Sequence, residues 1–231
     1  MSNRKDRLKQ FKTQRPGPTG SLSTNLVDSA RALLRQSLDD RRRGVVRTAD
    51  NHYSFHSPAV ITLVVTAFEA WLNECISILA YVDDLPRDFA DKPITKKYYE
   101  IPKRVTDSTV PDQPDLQFSI DLRHEMVHFL PRVLRETDPG APTRLVHLVD
   151  QGFLLDTPTP RGEFPLEVRL STYRLAYWAC ETTEIAVAAF MKALGSKKEY
   201  VVPTGSNFSL FHQDVCPPSE LGDYDTQYGL T

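Results

Sequence analysis

The stretch PAVITLVVTAFEAWLNECISILAYV, residues 58–82, decides the fold. Ile61, Val64, Phe68, Trp71, Cys75 and Leu79 recur at helical spacing and form one apolar stripe. Val60, Leu63, Val65, Leu72 and Ile76 cover most of the remaining face. A helix apolar nearly all round needs neighbours on every side, so it belongs at the centre of a bundle. Ser57 and Pro58 read as an N-cap and a first-turn residue. The longest apolar run, AVITLVVTAF at 59–68, stops at Glu69, short of the ~20 residues of a membrane span.

Three further long segments carry the same periodicity. The first covers residues 25–43, where Val27, Ala30, Leu33, Leu34 and Leu38 recur before a stop at Gly44. The next covers 115–135, with Leu116, Ile120, Val127, Leu130 and Leu134 on one stripe and Leu122, Met126, Phe129 and Val133 on another. The last covers 166–194, an alanine-rich stretch ending at Gly195. Shorter helices fit 93–104 and 143–151, and Pro- and Asp-rich linkers fit 105–115, 137–143 and 156–165. The best strand candidate, residues 200–202, is short. The expected architecture is an all-α bundle of four long helices plus short ones.

The 231 residues are 40% apolar and 25% charged, which suits one domain with tails. Lys+Arg 28 against Asp+Glu 30 gives a net charge of -2, which excludes a broad basic nucleic-acid surface but not a local patch. Residues 1–22 read as a basic, flexible tail, 23–203 as the helical domain and 204–231 as an acidic C-terminal tail. Phe208, Leu210 and Phe211 are able to pin part of that last segment. Cys75, Cys180 and Cys216 show no CxxC spacing, and MSNRKDRLKQ at the start shows no secretory core. Both point to a reducing, cytoplasmic setting. Cys75 and Cys180 fall on apolar faces and read as packing residues. His52, His56, His147 and His212 read as surface or ordinary structural residues, and Tyr173, Tyr177 and Trp178 as core or dimer contacts.

The central helix carries one thin polar line, Thr62, Thr66, Glu69, Asn73 and Ser77. A carboxylate there is costly unless it meets a cation or donors. Arg123 is the expected partner, because it falls on the apolar stripe between Ile120 and Val127. His128 lies five residues on, about 140° around an ideal helix, and a long Arg side chain can bend toward it. Pro131 conflicts with the carbonyl of Val127, so the helix should kink just after His128.

The segment DLRHEMVHFL, residues 121–130, contains two patterns. One is His124-Glu125-x-x-His128, two metal ligands on one helical face with Glu125 as a base, as in zinc hydrolases. No helix offers an obvious third ligand; Glu181 and Glu184 are the open possibilities. The other is Arg123, four residues, then His128. The string Leu122-Arg123-His124-Glu125-Met126-Val127-His128-Phe129 resembles the Arg-x(4–6)-His signature of the HEPN superfamily of helical ribonucleases, often seen as L-R-N-x-x-V-H-F. Residues 67–74, AFEAWLNE, resemble the acid-bearing central helix of several HEPN families. The helix order agrees as well, over roughly residues 25–195, and makes 23–203 a HEPN-like domain. His124 stands where a polar residue such as Asn is common.

The resemblance implies a metal-independent endoribonuclease with no cofactor. His128 would move protons, Arg123 would stabilise charge on the phosphate, Glu69 would orient Arg123, and His124 would support them. The products would carry 2′,3′-cyclic phosphate and 5′-hydroxyl ends. It implies a homodimer whose motif helices face a shared cleft, an RNA substrate, a toxin or phage-defence role with a cognate antitoxin or defence partner, and no membrane. Arg132 and the run Arg41, Arg42, Arg43 are candidate RNA contacts at that cleft; the run after Asp39 and Asp40 also reads as a solvated helix end. A second outcome is a HEPN module that binds RNA, nucleotide or a protein without cutting.

Overall fold

The structure is a computed structural model, and it describes residues 6, 21–44, 46–48, 50–82, 85–128, 148–155, 166–198, 208 and 215–230. Helix α1 spans Leu22–Arg43 and starts three residues before the expected point. Ser21 sets that start by accepting from the Thr24 N–H at 3.1 Å. The Ser23 hydroxyl then donates to Glu74 of the central helix at 2.9 Å. Gly44 ends the helix in the left-handed region at φ 68, as its position after the last periodic residue predicts.

The central helix α2 spans Ser57–Val82. Val60, Ile61, Val64, Phe68, Trp71, Leu72, Cys75 and Leu79 are all fully buried, so both stripes meet neighbours. Its start differs from expectation. Ser57 is the first helical residue, and its hydroxyl is buried without a hydrogen bond among the described residues. Ser54 sets the turn instead: its carbonyl accepts from the Ser57 N–H, and its hydroxyl donates to Asp40 at 2.9 Å. By length and composition α2 is able to cross a membrane, so the limit drawn at Glu69 does not hold. Beyond Glu69 the helix stays mostly apolar around Asn73, Glu74 and Ser77, and over half of the most apolar window is buried in the bundle.

A 3-10 turn at Arg87–Asp91 leads to α3, Ile94–Thr106, which buries Lys97, Tyr98 and Ile101. Helix α4 spans Pro114–His128. Leu116, Phe118 and Leu122 are buried, but Val127, expected on the inner stripe, is exposed. The expected continuation to residue 135, with Pro131, lies outside the described residues.

The expected helix over 166–194 is two helices, α5 at Leu166–Leu170 and α6 at Tyr173–Ala193. Thr172 breaks it. Its hydroxyl accepts from the Leu175 N–H at 3.2 Å as an N-cap and donates to the Phe153 carbonyl at 2.6 Å. Its backbone forms an isolated bridge with Tyr53. Hydroxyl side chains that find such partners compete with a continuous helix.

The described part of the acidic C-terminal segment is folded against the bundle. Residues 215–230 include a 3-10 turn at Pro218–Glu220 and α7, Leu221–Gln227. Leu221 is fully buried, and Asp225 pairs with Arg41 of α1. Phe208 is buried against Trp71, as expected, with ring centroids 5.9 Å apart. Leu210, Phe211, most of residues 1–20 and the strand candidate at 200–202 lie outside the described residues. The architecture is an all-α bundle, with no sheet among the described residues. Its core is one cluster around Phe68, Trp71, Tyr98 and Phe190.

Candidate active site

The polar line on α2 divides into two uses. Thr62 and Ser77 donate to carbonyls of their own helix, those of Pro58 and Asn73. Thr66, Glu69 and Asn73 face side chains from α3 and α4. Arg123 comes from α4, which packs across α2. Its Nη2 lies 3.9 Å from Glu69 Oε2 and donates to the Thr66 hydroxyl at 3.4 Å. Thr66 is free to accept because its own proton goes to the Thr62 carbonyl at 2.7 Å. The Arg123 side chain is only 24% exposed. Its Nε is buried with no hydrogen-bond partner among the described residues. The guanidinium is thus held at one nitrogen and retains donor capacity for another acceptor.

Glu69 meets a second cation that the sequence reading missed. Lys97 Nζ of α3 lies 3.8 Å from Glu69 Oε1 and donates to Asn73 Oδ1 at 2.8 Å. Lys97 is 2% exposed, whereas Glu69 is 34% exposed. The carboxylate is therefore half-buried rather than enclosed, with one oxygen toward each cation. Burial pulls the Lys97 ammonium below the usual lysine range, while Glu69 and Asp91 oppose that shift. At 3.8 and 3.9 Å the two pairs are Coulombic contacts rather than hydrogen bonds. The sequence signal for Lys97 was present: Ile94, Lys97, Tyr98 and Ile101 stand at helical spacing, and all four are buried.

His124 lies exposed on α4. His128 is the last residue of the same helix, about 7.5 Å along the axis from Arg123. The side chains of His128 and Glu125, and all of Arg132, lie outside the described residues. Among the described residues no cluster of three His, Cys, Asp or Glu is placed to hold a metal ion.

Arg41 is not an RNA contact. It is fully buried, with Nε and Nη2 donating to the two Asp225 oxygens at 2.7 and 2.6 Å and Nη1 to the Asn51 carbonyl at 3.0 Å. The buried positions Val27, Ala30, Leu34, Ser37 and Arg41 step by three and four, which already placed Arg41 on the inner face. Asp40 is likewise buried, so this helix end is not simply solvated. Arg42 is exposed and stacks on Tyr228 with its guanidinium 3.9 Å from the ring centre, and Arg43 is exposed beside Asp40. Both stand near the start of α2, roughly 18 Å along that helix from Glu69. The structure does not bring them to Arg123. His52 is structural, as expected: buried, stacked on Tyr173 and bonded to the Ser37 carbonyl. Cys75 and Cys180 are buried, and burial pushes both thiols up, away from the reactive thiolate. The chain matches no protein-family model, and it has no significant match among curated proteins or solved structures.

Proposed function

We propose that the protein is a metal-independent endoribonuclease of the HEPN type, acting as a cytoplasmic homodimer in a toxin or phage-defence role. One observation carries the reading. The Arg of the Arg-x4-His helix reaches Glu69 on the polar line of the central helix, and Thr66 beside it fixes the same nitrogen. An apolar pair at these positions would pack with less desolvation, so the charges call for a purpose beyond packing.

The chemistry uses the substrate's own 2′-hydroxyl. His128 takes the 2′ proton, the 2′ oxygen attacks phosphorus, and the bond from phosphorus to the 5′ oxygen breaks. A second His128, from the partner copy, gives a proton to the departing 5′ oxygen. Arg123 donates to the phosphate oxygens as negative charge builds there. Glu69 restrains Arg123 so that this charge meets a fixed cation.

The test is cleavage of a structured RNA in EDTA by wild type, Arg123→Ala and His128→Ala. The expected result is cutting that survives EDTA, leaves cyclic-phosphate and 5′-hydroxyl ends, and disappears in both variants. RNA binding without cutting by the folded wild type would replace this reading with the non-cleaving module. Loss of activity in EDTA would replace it with the zinc hydrolase.

A further inference from the structure

We infer that Lys97 is a positioning residue for Arg123, acting through Glu69 from the far side of the carboxylate; the inference rests on the ribonuclease reading above. Lys97 comes from α3, an element the Arg-x4-His pattern does not include. Its ammonium is almost fully enclosed, an expensive place for a charge that only had to pack. Two groups receive it, the Asn73 amide oxygen at 2.8 Å and Glu69 Oε1 at 3.8 Å. Both sit on α2, one turn apart, so Lys97 ties the carboxylate to a fixed point on its own helix. The other oxygen, Oε2, is the one that faces Arg123.

The geometry explains why one anion needs two cations. Glu69 is a third exposed, and a half-solvated glutamate samples several rotamers. A cation on Oε1 removes those that turn the carboxylate away from α4. The Asn73 oxygen that faces this site accepts, as the carboxylate does, and the ammonium between them joins the two acceptors. Lys97 does not touch substrate in this arrangement. Its effect on the phosphate is transmitted through Glu69 and the Arg123 guanidinium.

The test compares wild type, Glu69→Gln, Lys97→Met and the double variant. Cleavage kinetics are read alongside the Arg123 guanidinium signals in ¹⁵N NMR of the full chain. Lys97→Met is expected to lower kcat about a hundred-fold, the loss that a misplacement near 1 Å produces, with KM little changed. In the Glu69→Gln background the same substitution should cost nothing further, because its route to Arg123 is already cut. The Arg123 Nη signals should average in Lys97→Met as the guanidinium starts to rotate. Unchanged kcat, or losses that multiply in the double variant, would overturn the inference. If wild type cuts no RNA, the ribonuclease reading fails, and the NMR comparison alone decides whether Lys97 holds Arg123. If Lys97→Met does not fold, Asn73→Ala carries the same comparison with a smaller effect of the same sign.

Discussion

Replacing Asp225 with alanine should destabilise the whole bundle, although the residue lies six positions before residue 231. Arg41 is wholly buried, and Asp225 takes two of its N–H groups in a bidentate pair at 2.7 and 2.6 Å. The Thr48 and Asn51 carbonyls take Nη1 at 3.1 and 3.0 Å. Removing the carboxylate takes the anion from a buried full charge and leaves it neutral carbonyl acceptors among the described residues. Breaking one side of a buried ion pair costs about 3–5 kcal/mol. The Asp225 side chain is 12% exposed, so water reaches the vacated place and sets the cost near the lower end. For a chain of this size, about 3 kcal/mol corresponds to a fall in Tm of about 6–12 °C. Thermal and urea unfolding followed by far-UV circular dichroism measure it. The companion variant Arg41→Met with Asp225→Leu removes both charges and should recover most of the loss. A loss below about 1 kcal/mol in Asp225→Ala would refute the reasoning, because the pair would then behave as a surface salt bridge.

Two further outcomes follow from buried groups. Burial lowers His52 to about 4 from 6.5, with Arg41 acting in the same direction. The unfolded chain therefore takes up a proton that the folded chain refuses; stability is complete above pH 6.5 and falls as pH drops toward 4, by about 3 kcal/mol in all. Since the Ser37 carbonyl can only accept, Nε2 carries the proton, and a second proton would sit on Nδ1, which has no hydrogen-bond partner among the described residues. Urea midpoints between pH 7 and 4 should slope less in His52→Gln than in wild type, and equal slopes would place the titration elsewhere. Trp71→Ala empties a fully buried site ringed by Phe68, Phe190 and Phe208. It should cost about 3–5 kcal/mol in the same urea assay, and a cost near 1 would mean that the aromatic cluster closes over the void.

The long helices were legible because burial on every side leaves an uninterrupted apolar pattern. Residues 58–82 describe α2 to within one residue of its observed start. The break at Ser171 and Thr172 was not legible. Thr172 stops the helix by bonding to the Phe153 carbonyl, and the Tyr173 N–H donates to the His52 carbonyl. Those acceptors are distant in sequence, and nothing local announces them. The docking of residues 215–230 was hidden for the same reason. Its anchor is a charge pair between positions 41 and 225, and the acidic composition of the segment suggested solvent instead.

At the site, the sequence reading found the charge that needed a partner but undercounted the partners. Glu69 stood out because a carboxylate on an apolar helix is conspicuous, and Arg123 because it interrupts a second apolar stripe. Lys97 obeys the same rule on α3, yet it follows Lys96 in a segment that also carries Glu100, Lys103 and Arg104, where charge looks like a solvated face. Arg41 was lost in its triplet in the same way. In both cases the neighbour along the chain points outward, while the residue itself falls on the buried spacing. A charged residue at a buried helical position therefore means the same thing alone or within a run: an opposite charge or a set of acceptors must lie across the interface. Applied to this chain, that rule leads from Arg41 to Asp225 and the carbonyls of Thr48 and Asn51, and from Lys97 to Asn73 and Glu69. The first constellation has its cation fully enclosed and its anion nearly so, and locks the fold. The second leaves Glu69 and Arg123 partly open to solvent, and that opening is what a phosphate would need to reach the guanidinium.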